Sequence, residues 1–138
     1  MEFIISENPS SEDVDEIYQG LKRHNIPYIG DIKESHIACF TNSNDGAKLG
    51  GIIGRTWGSW LLIKYLWVDE TCHKQGMGTQ LLATLENYAK ESGCRFSLVD
   101  TMSFQAKPFY EKNGYQCKMT LDEYPAEGQL HFMTKELT

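Results

Sequence analysis

Val14, Ile17, Tyr18 and Leu21 return every three or four positions, the period of a helix with one apolar face. Ser11 followed by acids at Glu12, Asp13 and Asp15 suits the first turn of that helix, where unpaired N–H groups favour negative charge. Ahead of it, Glu2 to Ser6 reads as a short strand broken by Pro9. Asn25 and Pro27 predict the helix end, leaving 25–34 as a loop or a short second helix. His36–Thr41, Lys48–Trp57 and Trp60–Val68 then predict three strands. They are separated by the turn cluster Asn42 to Gly46 and by Gly58-Ser59, a pair suited to a tight hairpin. Trp60–Val68 is apolar everywhere except Lys64, which predicts a central strand covered on both faces. Gly50, Gly51 and Gly54 in the preceding arm mark a bulge or a close approach.

In the second half, Met77, Leu81, Leu82, Leu85, Tyr88 and Ala89 share one helical face, with Gln80, Thr84, Asn87 and Glu91 opposite. Glu86 and Lys90 have the spacing of an i,i+4 ion pair, and Gly93 is placed to end the helix. Arg95–Val99 predicts a strand, and a short helix from Ala106 stops at Asn113-Gly114. Strands at Tyr115–Thr120 and Leu130–Lys135 flank an acidic loop. The order is β-α-β-β-β-α-β-α-β-β, an α/β chain with an antiparallel first half, expected to form one domain over residues 1–138.

Composition narrows the function classes. The chain has 138 residues, 41% of them hydrophobic and 23% charged, with a formal charge of −6. An acidic domain lacks the Lys and Arg excess that neutralises phosphates in sequence-independent nucleic-acid binding, so no nucleic-acid partner is expected. The same field favours cationic substrates. Cys39, Cys72, Cys94 and Cys117 contain no CxxC pair and are expected to be free thiols, and no Cys or His spacing suits a metal. The start turns polar too early for a signal peptide, and no apolar run approaches a membrane span. A cytoplasmic protein without membrane partners is expected.

The stretch that carries chemistry runs from Leu66 to Leu82. A strand enters a short polar turn and then a glycine-punctuated helix start. The N-terminus of a helix offers unsatisfied amides and partial positive charge, and Gly76 and Gly78 remove the side chains that would keep a phosphate from those amides. His73 and Lys74 add donors. The pattern describes an anion cradle, fit for a pyrophosphate. The GxxxxGK[ST] pattern is absent, and a GxGxxG fingerprint would need glycine at Leu81.

A second motif follows, Ser103-Phe104-Gln105-Ala106-Lys107-Pro108-Phe109-Tyr110-Glu111-Lys112-Asn113-Gly114-Tyr115. Together the two segments resemble the GNAT N-acetyltransferase superfamily, acyltransferases that move acetyl from acetyl-CoA to an amine. His73-Lys74-Gln75-Gly76-Met77-Gly78 resembles the family's Arg/Gln-x-x-Gly-x-Gly/Ala loop. The later segment resembles Asn-x-x-Ala-x-x-Phe-Tyr-Glu-Lys-x-Gly-Phe. The resemblance implies a GNAT-like mixed sheet flanked by helices, with acetyl-CoA as cosubstrate and no metal. It implies that backbone amides of Gln75, Gly76, Met77, Gly78 and Thr79 hold the CoA pyrophosphate beside His73 and Lys74. Backbone groups of Leu66, Trp67 and Val68 would pair with the pantetheine arm where two strands splay, and Tyr110 would face the thioester sulfur.

Two positions depart from the family pattern. His73 stands where Arg or Gln is usual, so cofactor affinity is expected to be higher at pH 6 than at pH 8. Ser103 stands where Asn commonly binds the cofactor arm. In the family a Glu often serves as base on the strand before the loop; here Leu62 and Lys64 occupy that region. His36 and His131 are alternatives at a substrate cleft, though a lone strand histidine is more often structural. Trp57, Trp60 and Trp67 either line a pocket or fill a core. The expected activity is direct acetyl transfer to a primary amine, on a small cationic molecule or a protein. The alternative is a CoA-binding sensor without catalysis. Open strand edges allow a homodimer.

Overall fold

Ser10 caps the first helix: its hydroxyl accepts from the Asp13 N–H at 3.1 Å, and α1 then spans Ser11–Ile29 with Ser11 in its first turn, as expected. In this computed structural model, which describes residues 1–102 and 106–138, residues 1–32 form one compact unit and 33–138 another. In the first unit, α1 continues through Pro27 and does not stop at Asn25. Pro27 removes one bond near the helix end, and Gly30, at φ 67, closes the last turn by donating to Ile26 O at 2.8 Å. The helical period is as expected, but α1 buries none of its side chains. The strand expected at Glu2–Ser6 is absent. Phe3, Ile4 and Ile5 are consecutive apolar residues with no polar alternate, and all three stay exposed outside any ladder.

The second unit carries β1 (Glu34–Asn42), β2 (Lys48–Trp57), β3 (Trp60–Val68), α2 (Met77–Glu91), β4 (Phe96–Thr101), α3 (Ala106–Lys112), β5 (Gln116–Asp122) and β6 (Gln129–Glu136). From α1 onward this is the expected order. The strands form one sheet, β1-β2-β3-β4-β6-β5, antiparallel except for the parallel β3–β4 pair. The β2–β3 hairpin turns at Gly58-Ser59 as expected, with Gly58 at φ 58.

β3 departs from its expected pattern. Gly54 pairs with Ile63, but Ile53 pairs with Tyr65, so Lys64 is the additional residue of a bulge. The bulge needs glycine at position 54, because a Cβ there would lie 2.6 Å from Leu62 O. Alternation reverses across it: Leu61 and Ile63 are buried in the core, and Leu66 and Val68 pack against the same core after it. Tyr65 and Trp67, 62% and 52% exposed, face the other way. The strand is central in the sheet yet covered on one face only along this half.

α2 packs on β1, β2 and β3 and buries Leu81, Leu82, Leu85 and Ala89. Each of those leucines contributes about 2 kcal/mol of apolar burial. Glu86 shares that buried face. Its expected partner Lys90 lies exposed, and the carboxylate instead accepts from Lys135 Nζ at 2.9 Å and from the Tyr115 hydroxyl at 2.7 Å. Ser97 Oγ lies 2.7 Å from the same hydroxyl. Burial is the main reason the Tyr115 phenol is held far above its ordinary pKa. The tryptophans are not core residues: Trp57 and Trp67 are exposed, and half-buried Trp60 stacks on Phe96 with centroids 5.0 Å apart. All four cysteines are free thiols.

Candidate active site

The parallel pairing of β3 with β4 runs from Trp60↔Phe96 to Ile63↔Val99 and stops there. β3 continues to Val68 and β4 to Thr101, so the strands part after Ile63 and the last residues of β3 have no ladder on the β4 side. A chain leaving such a strand must turn within a few residues to reach α2. Asp69 starts that turn: its carboxylate accepts from the Thr71 N–H at 3.1 Å and from the Thr71 hydroxyl, capping a one-turn 3-10 helix at Glu70–Cys72. These bonds, the hydroxyl first, hold the Asp69 carboxyl below its ordinary pKa. Asp69 is therefore a turn former, consistent with its place beyond the strand end.

Lys74 and Gly76 both take left-handed backbone conformations, at φ 69 and φ 75. Together they turn the chain sharply into α2. Gly76 is the N-cap and supplies no side-chain hydrogen bond, so the first amides of α2 remain available to an outside acceptor. Gly78 has a different reason to be glycine: a Cβ there would stand 3.3 Å from the Phe109 ring and 3.8 Å from Val68. The second glycine is thus kept small by packing against α3 and β3.

A cavity of about 450 Å³ lies between the free end of β3, the start of α2 and α3. Leu66 and Val68 form one wall; His73, Lys74 and Gly76 form its rim; Met77, Gly78 and Thr79 lead into α2. Phe109 and Tyr110 close the far side. Lys74 and Lys112 are its charged lining among the described residues, and no carboxylate is part of that lining. A chain of charge −6 has therefore gathered local positive charge at this one mouth, as an anion requires. The amides, the two lysines and the apolar wall fit a ligand with an anionic middle and an extended polar arm.

The structure brings together most of the residues singled out from the sequence. His73 lines the rim, and its Nε2 lies 3.0 Å from Val68 O. Because a carbonyl only accepts, Nε2 carries a proton and donates. Trp67 directs its side chain to the opposite face, so only its backbone reaches the strand edge that adjoins the cavity. Gln75 also turns away, its Nε2 donating to Thr71 O at 3.5 Å. Thr79 is tied to α3, its hydroxyl accepting from Asn113 Nδ2 at 3.5 Å. Ser103 lies outside the described residues.

Tyr110 is 5% exposed, lines the cavity and belongs to the core. Burial first, and the Asp100 carboxylate second, push its phenol up to about 12. It is neutral at any physiological pH, and a neutral phenol is able to donate a hydrogen bond. His36 is exposed beside Glu34, 3.3 Å away. His131 is buried, with Nδ1 2.9 Å from Thr120 Oγ1. Neither lines the cavity. Sequence reasoning overlooked Phe109 and Lys112 as lining residues, although Ala106, Phe109 and Lys112 recur at spacing three along the short helix.

Comparison with known proteins agrees with this geometry. The family described as "Acetyltransferase (GNAT) family" matches residues 5–115. Blasticidin-S acetyltransferase of Streptomyces morookaense is 36% identical over 101 residues, 72% of this chain and 74% of that protein. An acetyltransferase of Agrobacterium fabrum is 30% identical, covering 83% of this chain and 84% of its own length. The crystal structure of an acetyltransferase from Bacillus cereus superposes with a TM-score of 0.85 at 32% identity, covering 97% of this chain and 98% of that one. No helix among the described residues is long and apolar enough to cross a membrane.

Proposed function

The chain belongs to the GNAT acetyltransferase family and is an acetyl-CoA-dependent N-acetyltransferase, and from that premise we propose which residues perform the transfer and what kind of amine receives it. Residues 1–138 act as one catalytic domain. Backbone amides of Gln75, Gly76, Met77, Gly78 and Thr79 hold the CoA pyrophosphate, with Lys74 and His73 supplying charge and a donor at the rim. Backbone groups of Leu66, Trp67 and Val68 pair with the amides of the pantetheine arm, which takes the place of a neighbouring strand. Ser103 adds one hydrogen bond to that arm. The observation that carries this reading is the end of β3–β4 pairing at Ile63↔Val99, beside the uncapped start of α2.

The acceptor nitrogen attacks the thioester carbonyl as a neutral amine. A backbone N–H of the free β3 end polarises the carbonyl oxygen, and Tyr110 donates to the sulfur as negative charge gathers there. With its phenol at about 12 and an ordinary thiol near 8.5, full proton transfer from Tyr110 would be uphill by about 5 kcal/mol. Tyr110 therefore stabilises the departing thiolate by a hydrogen bond and keeps its proton. The amine loses its own proton to solvent.

The acceptor is a small cationic amine, a reading supported by the negative charge of the chain and by the relative that carries the name of a small molecule. β1 ends the sheet, and its open edge suits pairing with a second copy to give a homodimer. Four free thiols suit a reducing cytoplasm. The test is thiol release from acetyl-CoA over blasticidin S, polyamines, aminoglycosides and lysine peptides. Release with small amines is expected; release with lysine peptides alone would overturn the small-molecule acceptor. Sedimentation as a monomer at micromolar concentration would overturn the dimer.

A further inference from the structure

β3 and β4 part beyond Ile63 and Val99, and the cavity beside that parting is lined by Leu66 and Val68 with residues of α2 and α3, and not by Tyr65, Trp67 or Asp100. On β4, Val99 and Thr101 are buried while Asp100 between them is exposed on the outer face of the strand. On β3 the Lys64 bulge turns Tyr65 and Trp67 to that same outer face. One carboxylate and two exposed aromatic rings therefore stand on the two banks of a single opening. The ion pairs among the described residues are His36–Glu34, Arg55–Glu34 and Lys135–Glu86, none of which uses Asp100. Lys64, the basic residue nearest along β3, places its Nζ 5.3 Å over the Tyr65 ring instead.

We propose that Asp100 is the anionic anchor for an acceptor that carries a second positive charge, bound on the outer face of the β3–β4 opening with Tyr65 and Trp67 as its aromatic wall. This rests on the transfer reading above and specifies its acceptor. The nitrogen that reacts must be neutral when it attacks, so a carboxylate gains most from a charge elsewhere on the same molecule that persists through the reaction. The exposed Trp67 ring on the β3 bank adds cation–π attraction for the same charge, while the Tyr65 ring already has Lys64 over it. Asp100 also lies close enough to the reacting centre for its charge to raise the proton affinity of Tyr110 from the opposite side of the sheet. The class of acceptor is a compact diamine or a larger small molecule with an amine and a separate cationic group.

The experiment is calorimetry on the full chain saturated with CoA, using 1,5-diaminopentane and 1-aminopentane as probes. The diamine is expected to bind at least about tenfold more tightly, the value of one charge-assisted hydrogen bond. Asp100→Asn should cut that preference to under about threefold and Asp100→Glu should retain it, with CoA affinity unchanged in both. Equal binding of the two probes, no binding of either, or a preference that survives Asp100→Asn would overturn the proposal. Loss of CoA binding in the wild-type chain would be a separate failure, that of the cavity reading, and it is measured before either amine is added.

Discussion

The ring of Tyr110 meets that of Tyr115 edge-on, with centroids 5.4 Å apart and planes at 70°. Tyr115 is itself held by Ser97 of β4 and Glu86 of α2, and Glu86 by Lys135 of β6. The tyrosine at the cavity is thus braced by a buried polar cluster that joins three elements of the fold. Its ring position comes from packing, with Phe109 on one side at 5.1 Å and Tyr115 on the other. The same residue lines the cavity. Position and reactivity have separate physical sources and can be perturbed separately.

Tyr110→Phe keeps both edge-on contacts and removes only the hydroxyl. Turnover is expected to fall at least about tenfold, which corresponds to a loss of about 1.4 kcal/mol of transition-state stabilisation. Acetyl-CoA affinity should change by less than about twofold, because the hydroxyl acts on charge that develops during transfer. Steady-state kinetics with an accepted amine and a direct binding measurement check both halves. Unchanged turnover would refute the role.

The raised phenol of Tyr110 also predicts how stability depends on pH. The folded chain keeps this proton up to about 12, whereas the unfolded chain releases it near the ordinary 10. Below pH 10 both states are protonated and the contribution is fully present. Between pH 10 and 12 the unfolded state binds fewer protons, so stability falls as pH rises, by up to about 3 kcal/mol from this group. Urea unfolding should show a smaller alkaline loss in Tyr110→Phe than in wild type; identical losses would contradict the assignment.

His73 donates from Nε2 to Val68 O, which leaves Nδ1 as its polar atom for a phosphate. In the neutral ring Nδ1 only accepts, so it can donate to an anion only when the ring is protonated. His73→Arg would place a permanently charged donor at this rim position, and acetyl-CoA is expected to bind that variant at least about threefold more tightly than wild type. Titration calorimetry on the two proteins decides it. Unchanged affinity would remove position 73 from the phosphate site.

Gly78→Val tests the cradle sterically. Even a single Cβ meets the Phe109 ring at 3.3 Å, and the branched carbons of valine would either displace that ring or project over the helix mouth. Acetyl-CoA affinity is expected to fall at least about tenfold, with stability lowered by about 1–3 kcal/mol from overpacking. Gly78→Ala should give a smaller loss of affinity. Binding isotherms and thermal melts separate the two effects, and full affinity in the valine variant would show that position 78 does not border the ligand.

Most of the second unit was legible because its signals are local. The hairpin at Gly58-Ser59, the ends of α2 and the phosphate-cradle motif each occupy a few neighbouring positions whose spacing carries the information. The misreadings come from partners far along the chain. Glu86 looked paired with Lys90 because both lie on one helix, but its partner Lys135 is 49 positions away, brought there by β6. The Lys64 bulge is a mismatch of register with β2, and a run such as WLLIKYLWV looks uniformly apolar whichever face each residue takes. Residues 2–6 have strand-forming residue types without alternation, so propensity suggested a strand that no ladder completes. Asp100 was overlooked because a carboxylate at a strand end has no distinguishing neighbours until β3 parts from β4.

The additional residue at Lys64 divides β3 into two functional halves that share a face. Upstream of it, Leu61 and Ile63 lie in the interior; downstream, Leu66 and Val68 pack on that interior and also line the cavity, and the slip lets both sets point the same way. Shortening the strand by that single position would restore strict alternation and turn Leu66 and Val68 away from the cavity they now line.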